Sequence, residues 1–190
     1  MAQASLVFIT GGVRSGKSSF AERKAIEIAK ETGKQLIYLA TGVPSDSEMI
    51  ERIQKHQLDR RSGEYSWKTM EQSIRIGELA PQLHNQDIIL LDCVTTLLNN
   101  ELFSSECKWD GLFLDAVKEK IISGIMSINN RAGTLIVVSN ELLFEPVSES
   151  NLVLMYSRIL GQIHQYLVNE ADQAFLVEAG IPIVMKGMSR

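Results

Sequence analysis

Gly11-Gly12-Val13-Arg14-Ser15-Gly16-Lys17-Ser18 is the stretch of this 190-residue sequence whose residue types and spacing most directly imply chemistry. It follows the pattern G-x-x-x-x-G-K-[ST], and each fixed position has a physical purpose. The glycines let the backbone curl until successive N–H groups point inward at phosphate oxygens. A helix starting near Lys17 turns the positive end of its dipole toward the same anion. Lys17 reaches the β and γ phosphates and the Ser18 hydroxyl binds magnesium. Arg14 adds a cation that can contact the nucleotide or a second substrate. The plain alternative is a glycine-rich strand-to-helix turn, and a chance match in such a chain is on the order of a percent. A buried-strand pattern, Leu6-Val7-Phe8-Ile9, stops just before the motif and a helix pattern opens at its end, as nucleotide binding requires.

Three other side chains are candidates for chemistry. Asp92 ends the apolar run Ile88-Ile89-Leu90-Leu91, where a carboxylate can hold the magnesium shell; the alternative is a cap of the next turn. Glu141, after Val137-Val138-Ser139-Asn140, is a weaker second choice. His56 shares a helical stripe with Met49 and Ile53 at i, i+4 and i+7, flanked by Arg52 and Lys55. A neutral imidazole is a competent nucleophile near pH 7, although by pattern alone a lone inward histidine is more often structural. His84, beside Pro81 and Asn85, reads as a surface-loop residue and His164, beside the apolar stripe of a long helix, as structural.

The elements that must position these groups alternate short apolar runs with helical patterns. A helix runs from Lys17 to about Glu31, with Ala21, Ala25, Ile28 and Ala29 on one face and Gly33 just past its end. Leu36 to Ala40 is the next strand. Ser45-Asp46-Ser47-Glu48 is a capping box opening a second helix, and residues 57–67 read as a polar loop or arm. The spacing predicts a short helix from Glu71 to Leu79, ended by Pro81, a helix over 109–130, and a strand at Leu135–Val138. A long helix follows from Glu149 to Glu170, with Leu152, Tyr156, Ile159, Ile163 and Leu167 on one face. Two closing strands, 174–177 and 181–184, are separated only by Glu178-Ala179-Gly180, which predicts an antiparallel hairpin on the sheet edge. The whole reads as a single P-loop (RecA-like) α/β domain over residues 1–190, its mostly parallel sheet covered by helices on both faces.

Composition bounds the partners. Nineteen basic against 23 acidic residues give a net charge of −4, which leaves no footprint for tight non-specific nucleic-acid binding. Two cysteines, Cys93 and Cys107, make no disulfide framework and no zinc clip. No apolar run approaches the roughly 18 residues of a membrane span, and no signal peptide precedes the first strand, so a cytoplasmic protein is expected.

Taken together, the sequence resembles the bifunctional adenosylcobinamide kinase / adenosylcobinamide-phosphate guanylyltransferase family over nearly its whole length. The resemblance rests on Thr10 to Ser18, Tyr38-Leu39-Ala40-Thr41, Glu48 to His56, Trp67-Lys68-Thr69-Met70-Glu71 and Leu90 to Thr96. Towards the C-terminus it rests on Ser139-Asn140-Glu141, Gly161, Gln165, Ala171-Asp172 and Ala179-Gly180-Ile181-Pro182. It implies that a nucleoside triphosphate, ATP or GTP, phosphorylates the aminopropanol hydroxyl of adenosylcobinamide. It further implies that His56 attacks the α-phosphorus of GTP, expels pyrophosphate and passes GMP to adenosylcobinamide phosphate, with Mg2+ on Ser18 and Asp92 and Lys17 as the catalytic cation. By position, Thr41, Gly42, Val43, Gln57, Leu58, Asp59, Arg60, Glu71 and Asp92 match nucleotide contacts, and a homotrimer is implied. Glu71 or Asp92 can accept from the guanine N1 and N2 donors.

The sequence departs from the family pattern in places. The carboxylate at Asp92 is often Glu. The glycine-bearing V-G-x-G-I-V-P is replaced by Leu142-Leu143-Phe144-Glu145-Pro146, and R-D-x-x-G-x-x-N-Q by Ser157 to Gln165. Two narrower readings therefore stand beside the bifunctional one: a P-loop small-molecule kinase or nucleotidyltransferase with one activity, or a non-catalytic nucleotide-binding protein.

Overall fold

The computed structural model describes residues 5–43, 65–107, 109–141 and 151–187. Strands β1 (Ser5–Gly11), β2 (Gln35–Ala40), β3 (Trp67–Glu71), β4 (Asp87–Asp92), β5 (Thr134–Asn140), β6 (Gln173–Glu178) and β7 (Ile181–Lys186) form one sheet. Their order is β3-β2-β4-β5-β1-β6-β7. The first six are parallel, and β7 pairs antiparallel with β6 at the edge. The expected α/β architecture and its terminal hairpin are both present.

Strand alternation sends successive side chains to opposite faces, and both faces are covered. Val7, Ile9, Ile88, Leu90, Ile136 and Val138 pack beneath α1 (Lys17–Thr32). Ala21, Ala25 and Ala29 form the buried stripe of that helix; such small side chains let its backbone come close to the sheet. Gly33 ends it in the left-handed region at φ 69°, its N–H returning to Ala29 O at 2.8 Å. On the other face Leu6, Phe8, Ile89, Leu91, Leu135 and Val137 meet α2 (Val94–Leu102), α3 (Gly111–Asn129) and α4 (Asn151–Glu170). The centre is apolar, with Ile89, Leu91 and Val137 fully buried; truncating Ile89 or Leu91 to Ala costs about 2–5 kcal/mol.

Three expectations need correction. The helix expected from Glu71 to Leu79 is a strand, β3, that ends at Glu71, followed by a 3-10 segment, Ile76–Gln82, that contains Pro81. Residues 94–102, given no element from the sequence, form α2. Leu152 does not join the buried stripe of α4: it is exposed with Val153 and Leu154, and burial begins at Ile159. The capping box at Ser45–Glu48 and the helix it opens lie outside the described residues.

Because six strands are parallel, their C-terminal ends share one edge of the sheet. The phosphate loop follows β1 there, and the same edge carries Glu71, Thr41, Asp92 and Glu141. In open α/β sheets this is the edge where ligands bind.

Candidate active site

The loop between β1 and α1 has the curl that its sequence requires. Ser15 N–H donates to Gly12 O at 3.2 Å, Arg14 has φ 59° and Gly16 has φ 90°. Helix α1 then opens with no side-chain cap and no acidic residue in its first turn. Its first N–H groups are thereby left to an external anion. Lys17 is buried and its Nζ donates to Gly12 O at 2.9 Å, which folds the ammonium back over the loop.

The loop is held from behind by the C-terminal hairpin. Gly180 N–H donates to Ser15 O at 2.8 Å. A Cβ on Gly11 would strike Val177 O, and one on Gly16 would lie 3.1 Å from Gly180 Cα. Glycine is therefore needed at both positions for close approach, and at Gly16 also for its left-handed φ.

Asp92 ends β4, two strands from β1, about 10 Å at the usual spacing. It alternates with Leu90 and Ile88, so it falls on the face of α1, the helix that begins at Lys17. Tyr38 OH, from the neighbouring strand, donates to Asp92 Oδ2 at 2.9 Å, leaving Oδ1 for another partner. The thiol of Cys93 next to it is pushed up in pKa by burial first and by the Asp92 charge second, while Lys17 pulls the other way. Thr41 is fully buried; its Oγ1 lies 2.9 Å from Cys93 O and accepts from Cys93 N–H at 2.8 Å, tying the ends of β2 and β4. Gly42 and Val43 follow it, Val43 exposed. Glu71 stands exposed at the end of outer strand β3, in register with Ala40, which is in turn in register with Asp92. His56, Gln57, Leu58, Asp59 and Arg60 lie outside the described residues.

The opposite face of the same edge holds a cavity of about 650 Å³ between α4 and strands β1 and β6. Thr10, Glu141, Leu160, Gly161, His164 and Leu176 are among its lining residues. His164, set aside as structural from the sequence, is part of this wall. Its Nε2 is 2.7 Å from Ser139 Oγ, and burial lowers its pKa to about 4, so the ring is neutral at pH 7. Ser139 Oγ continues to Thr95 Oγ1 at 3.1 Å. No local pattern could have found this chain, because its members sit 25 and 44 residues apart. Burial, and then the charge of Glu178, raise the pKa of Glu141.

The sequence matches known proteins over nearly its whole length. The sequence model of the family described as cobinamide kinase / cobinamide phosphate guanyltransferase matches residues 7–185. The bifunctional adenosylcobalamin biosynthesis protein CobU of Escherichia coli K12 is 31% identical over 188 residues, covering 95% of this chain and 99% of that one. The corresponding CobP of Pseudomonas aeruginosa is 31% identical, covering 94% and 96%. Among solved structures, the flagellar accessory protein FlaH of Methanocaldococcus jannaschii superposes with a TM-score of 0.50 at 14% identity. It covers 98% of this chain and 80% of FlaH, a likeness of fold alone.

Proposed function

The chain belongs to the cobinamide kinase / cobinamide phosphate guanyltransferase family, and from that premise we propose that both transfers use one nucleotide-binding sheet edge and that His56 carries the guanylyl group. The protein is an enzyme of adenosylcobalamin biosynthesis whose substrates are nucleotides and cobinamides. In the kinase step the phosphate loop binds the triphosphate of ATP or GTP. Lys17 exchanges the Gly12 carbonyl for the β and γ oxygens, and the open N-terminus of α1 faces the same charge.

In the guanylyl step an imidazole nitrogen of His56 bonds to the α-phosphorus of GTP as the bond to the pyrophosphate oxygen breaks. An oxygen of cobinamide phosphate then displaces the histidine, giving cobinamide-GDP. Splitting the transfer lets GTP and the bulky corrinoid take the site in turn. In sequence His56 lies between β2 and β3, the two strands on the Glu71 side of β4. Thr41, Gly42, Val43, Gln57, Leu58, Asp59, Arg60 and Glu71 complete the nucleotide site in this reading. Outer strand β3 is four places, about 19 Å, from β1, so Glu71 can meet the base and not the phosphates.

Mg2+ fits the donor set at Ser18 and Asp92. A hydroxyl and a carboxylate are hard oxygens, and this ion normally takes one or two protein ligands together with substrate phosphates. Among the described residues no cluster of three metal-ligating side chains offers a closed cage instead. Bound there, the ion would neutralise charge on the phosphate oxygens; Tyr38 holds one oxygen of the Asp92 carboxylate that would ligate it.

A homotrimer is part of the proposal. Edge strand β7 exposes Ile181, Ile183, Val184 and Met185 in one run, and an apolar edge of this kind calls for cover. No described helix is long and apolar enough to cross a membrane; the unpaired Cys93 and Cys107 suit a reducing cytoplasm.

The family match over nearly the whole chain, joined to a phosphate loop of the required geometry, carries this reading. Incubation with α-labelled GTP tests it. Acid-labile, base-stable label on the protein, absent in His56→Ala, is expected; phosphorylation of cobinamide without protein labelling would leave a kinase alone.

A further inference from the structure

We propose that Glu141 is the general base of the kinase step, taking the proton of the attacking alcohol, and that the side chain bearing this alcohol enters along the cavity between α4 and strands β1 and β6. The proposal rests on the kinase reading above and assigns it a residue that the nucleotide site does not use.

Glu141 is placed by the phosphate loop itself. Its N–H donates to Gly11 O at 3.0 Å, and Lys17 Nζ donates to Gly12 O at 2.9 Å. The main chain of Glu141 and the ammonium of Lys17 are thus bonded to consecutive carbonyls where β1 passes into the phosphate loop. They serve different faces: Asp92 falls on the α1 side of the sheet, whereas Glu141 lines the cavity on the α4 side. Nucleotide and alcohol can therefore approach the same edge from opposite sides.

The cavity suits the second substrate. Its volume of about 650 Å³ is that of a small-molecule pocket. A Cβ added to Gly161 would meet nothing within 4 Å, so the wall is open along α4. At the loop end, Thr10 lines the cavity with a buried Oγ1 that has no hydrogen-bond partner among the described residues. A buried hydroxyl of this kind normally finds a partner, and the substrate alcohol supplies one.

Competing bases are weaker. Asp92 already accepts from Tyr38 and lies two strands away. His164 has its Nε2 engaged by Ser139 and is a poor proton acceptor because of its burial. Burial and the neighbouring Glu178 charge make Glu141 more proton-avid than an ordinary surface carboxylate. In the step, the alcohol oxygen bonds to the γ-phosphorus and the bond from γ-phosphorus to the β-bridging oxygen breaks. The nucleoside diphosphate leaves, and the proton passes to the Glu141 carboxylate and then to water.

Full-length E141Q, E141D and Gly161→Leu decide the matter, each assayed for cobinamide phosphorylation and for α-labelled GTP transfer to the protein. E141Q is expected to lose about 100-fold or more in kinase kcat, the usual share of a general base, with protein labelling kept within about threefold. E141D should regain part of the rate, and Gly161→Leu should raise KM for cobinamide but not for ATP. E141Q that keeps its kinase kcat, or regains it at higher Mg2+ as a metal ligand would, overturns the assignment. An unchanged KM in Gly161→Leu overturns the cavity as the route. A wild-type protein that labels but phosphorylates no cobinamide sinks the kinase reading itself, a separate result.

Discussion

Gly180 and Ser15 are joined by a backbone hydrogen bond of 2.8 Å, so the turn between the last two strands braces the phosphate loop near the start of the chain. A nucleotide loop must hold its N–H groups in place before the anion arrives, since ordering them on binding costs affinity. Here the brace is covalently distant and geometrically close.

Gly11→Ala should therefore damage both fold and binding. Its methyl group would run into Val177 O and lie 2.6 Å from Ser15 Oγ, a loss of about 1–3 kcal/mol in urea unfolding together with weaker nucleotide binding by titration. Gly12→Ala is the control. Nothing lies within 4 Å of its added Cβ, so stability should change by no more than about 0.5 kcal/mol.

Tyr38→Phe removes only the hydroxyl that donates to Asp92. A half-buried bond to a charged acceptor contributes about 1.5 kcal/mol, close to tenfold in an equilibrium constant. The Mg2+ concentration for half-maximal kinase rate should rise by up to about that factor, and further in Asp92→Asn. Identical Mg2+ titrations in wild type and both variants would remove Asp92 from the metal site.

Acid should weaken the fold through His164. Its native pKa of about 4 lies below the ordinary value, so between the two the unfolded chain binds more protons than the native one. Stability is then fully present above about pH 6.5 and falls as pH drops towards 4, by about 3 kcal/mol. His164→Gln should flatten that limb of the stability profile, measured by denaturant unfolding at several pH values. An equally steep limb in the variant would assign the effect elsewhere.

Ile183→Glu and Val184→Lys place charge on the exposed apolar run of β7. By light scattering, wild type should have three times the 21.2 kDa mass of the chain, and the double variant the mass of one. A wild-type monomer, or a charged variant that stays assembled, contradicts the proposed interface.

The sequence is legible where chemistry or burial is written locally. The phosphate loop needs fixed residues at fixed spacing, and β4 and β5 are buried on both faces, so both appear as continuous apolar runs. Strand β3 escapes because Trp67 to Glu71 is half exposed and, among the described residues, pairs on one side only, leaving no apolar rhythm. Helix α2 escapes because it starts two residues after Asp92 with Cys93 at its N-cap and no side-chain cap bond. In α4 the period is right, but its first turn carries Leu152 into solvent. The Tyr38–Asp92 and His164–Ser139 contacts cross between elements, and nothing local encodes such pairs.

The strand order also sets when the protein becomes competent. A ribosome releases β1 early, yet its two neighbours, β5 and β6, are made only after residue 133 and residue 172. The nucleotide-binding strand must wait, unpaired and apolar, until those partners have been made. Long-range pairing of this kind folds slowly and leaves aggregation-prone surface in transit, so the yield of active enzyme should depend on synthesis rate and chaperone supply more than on the stability of the finished fold.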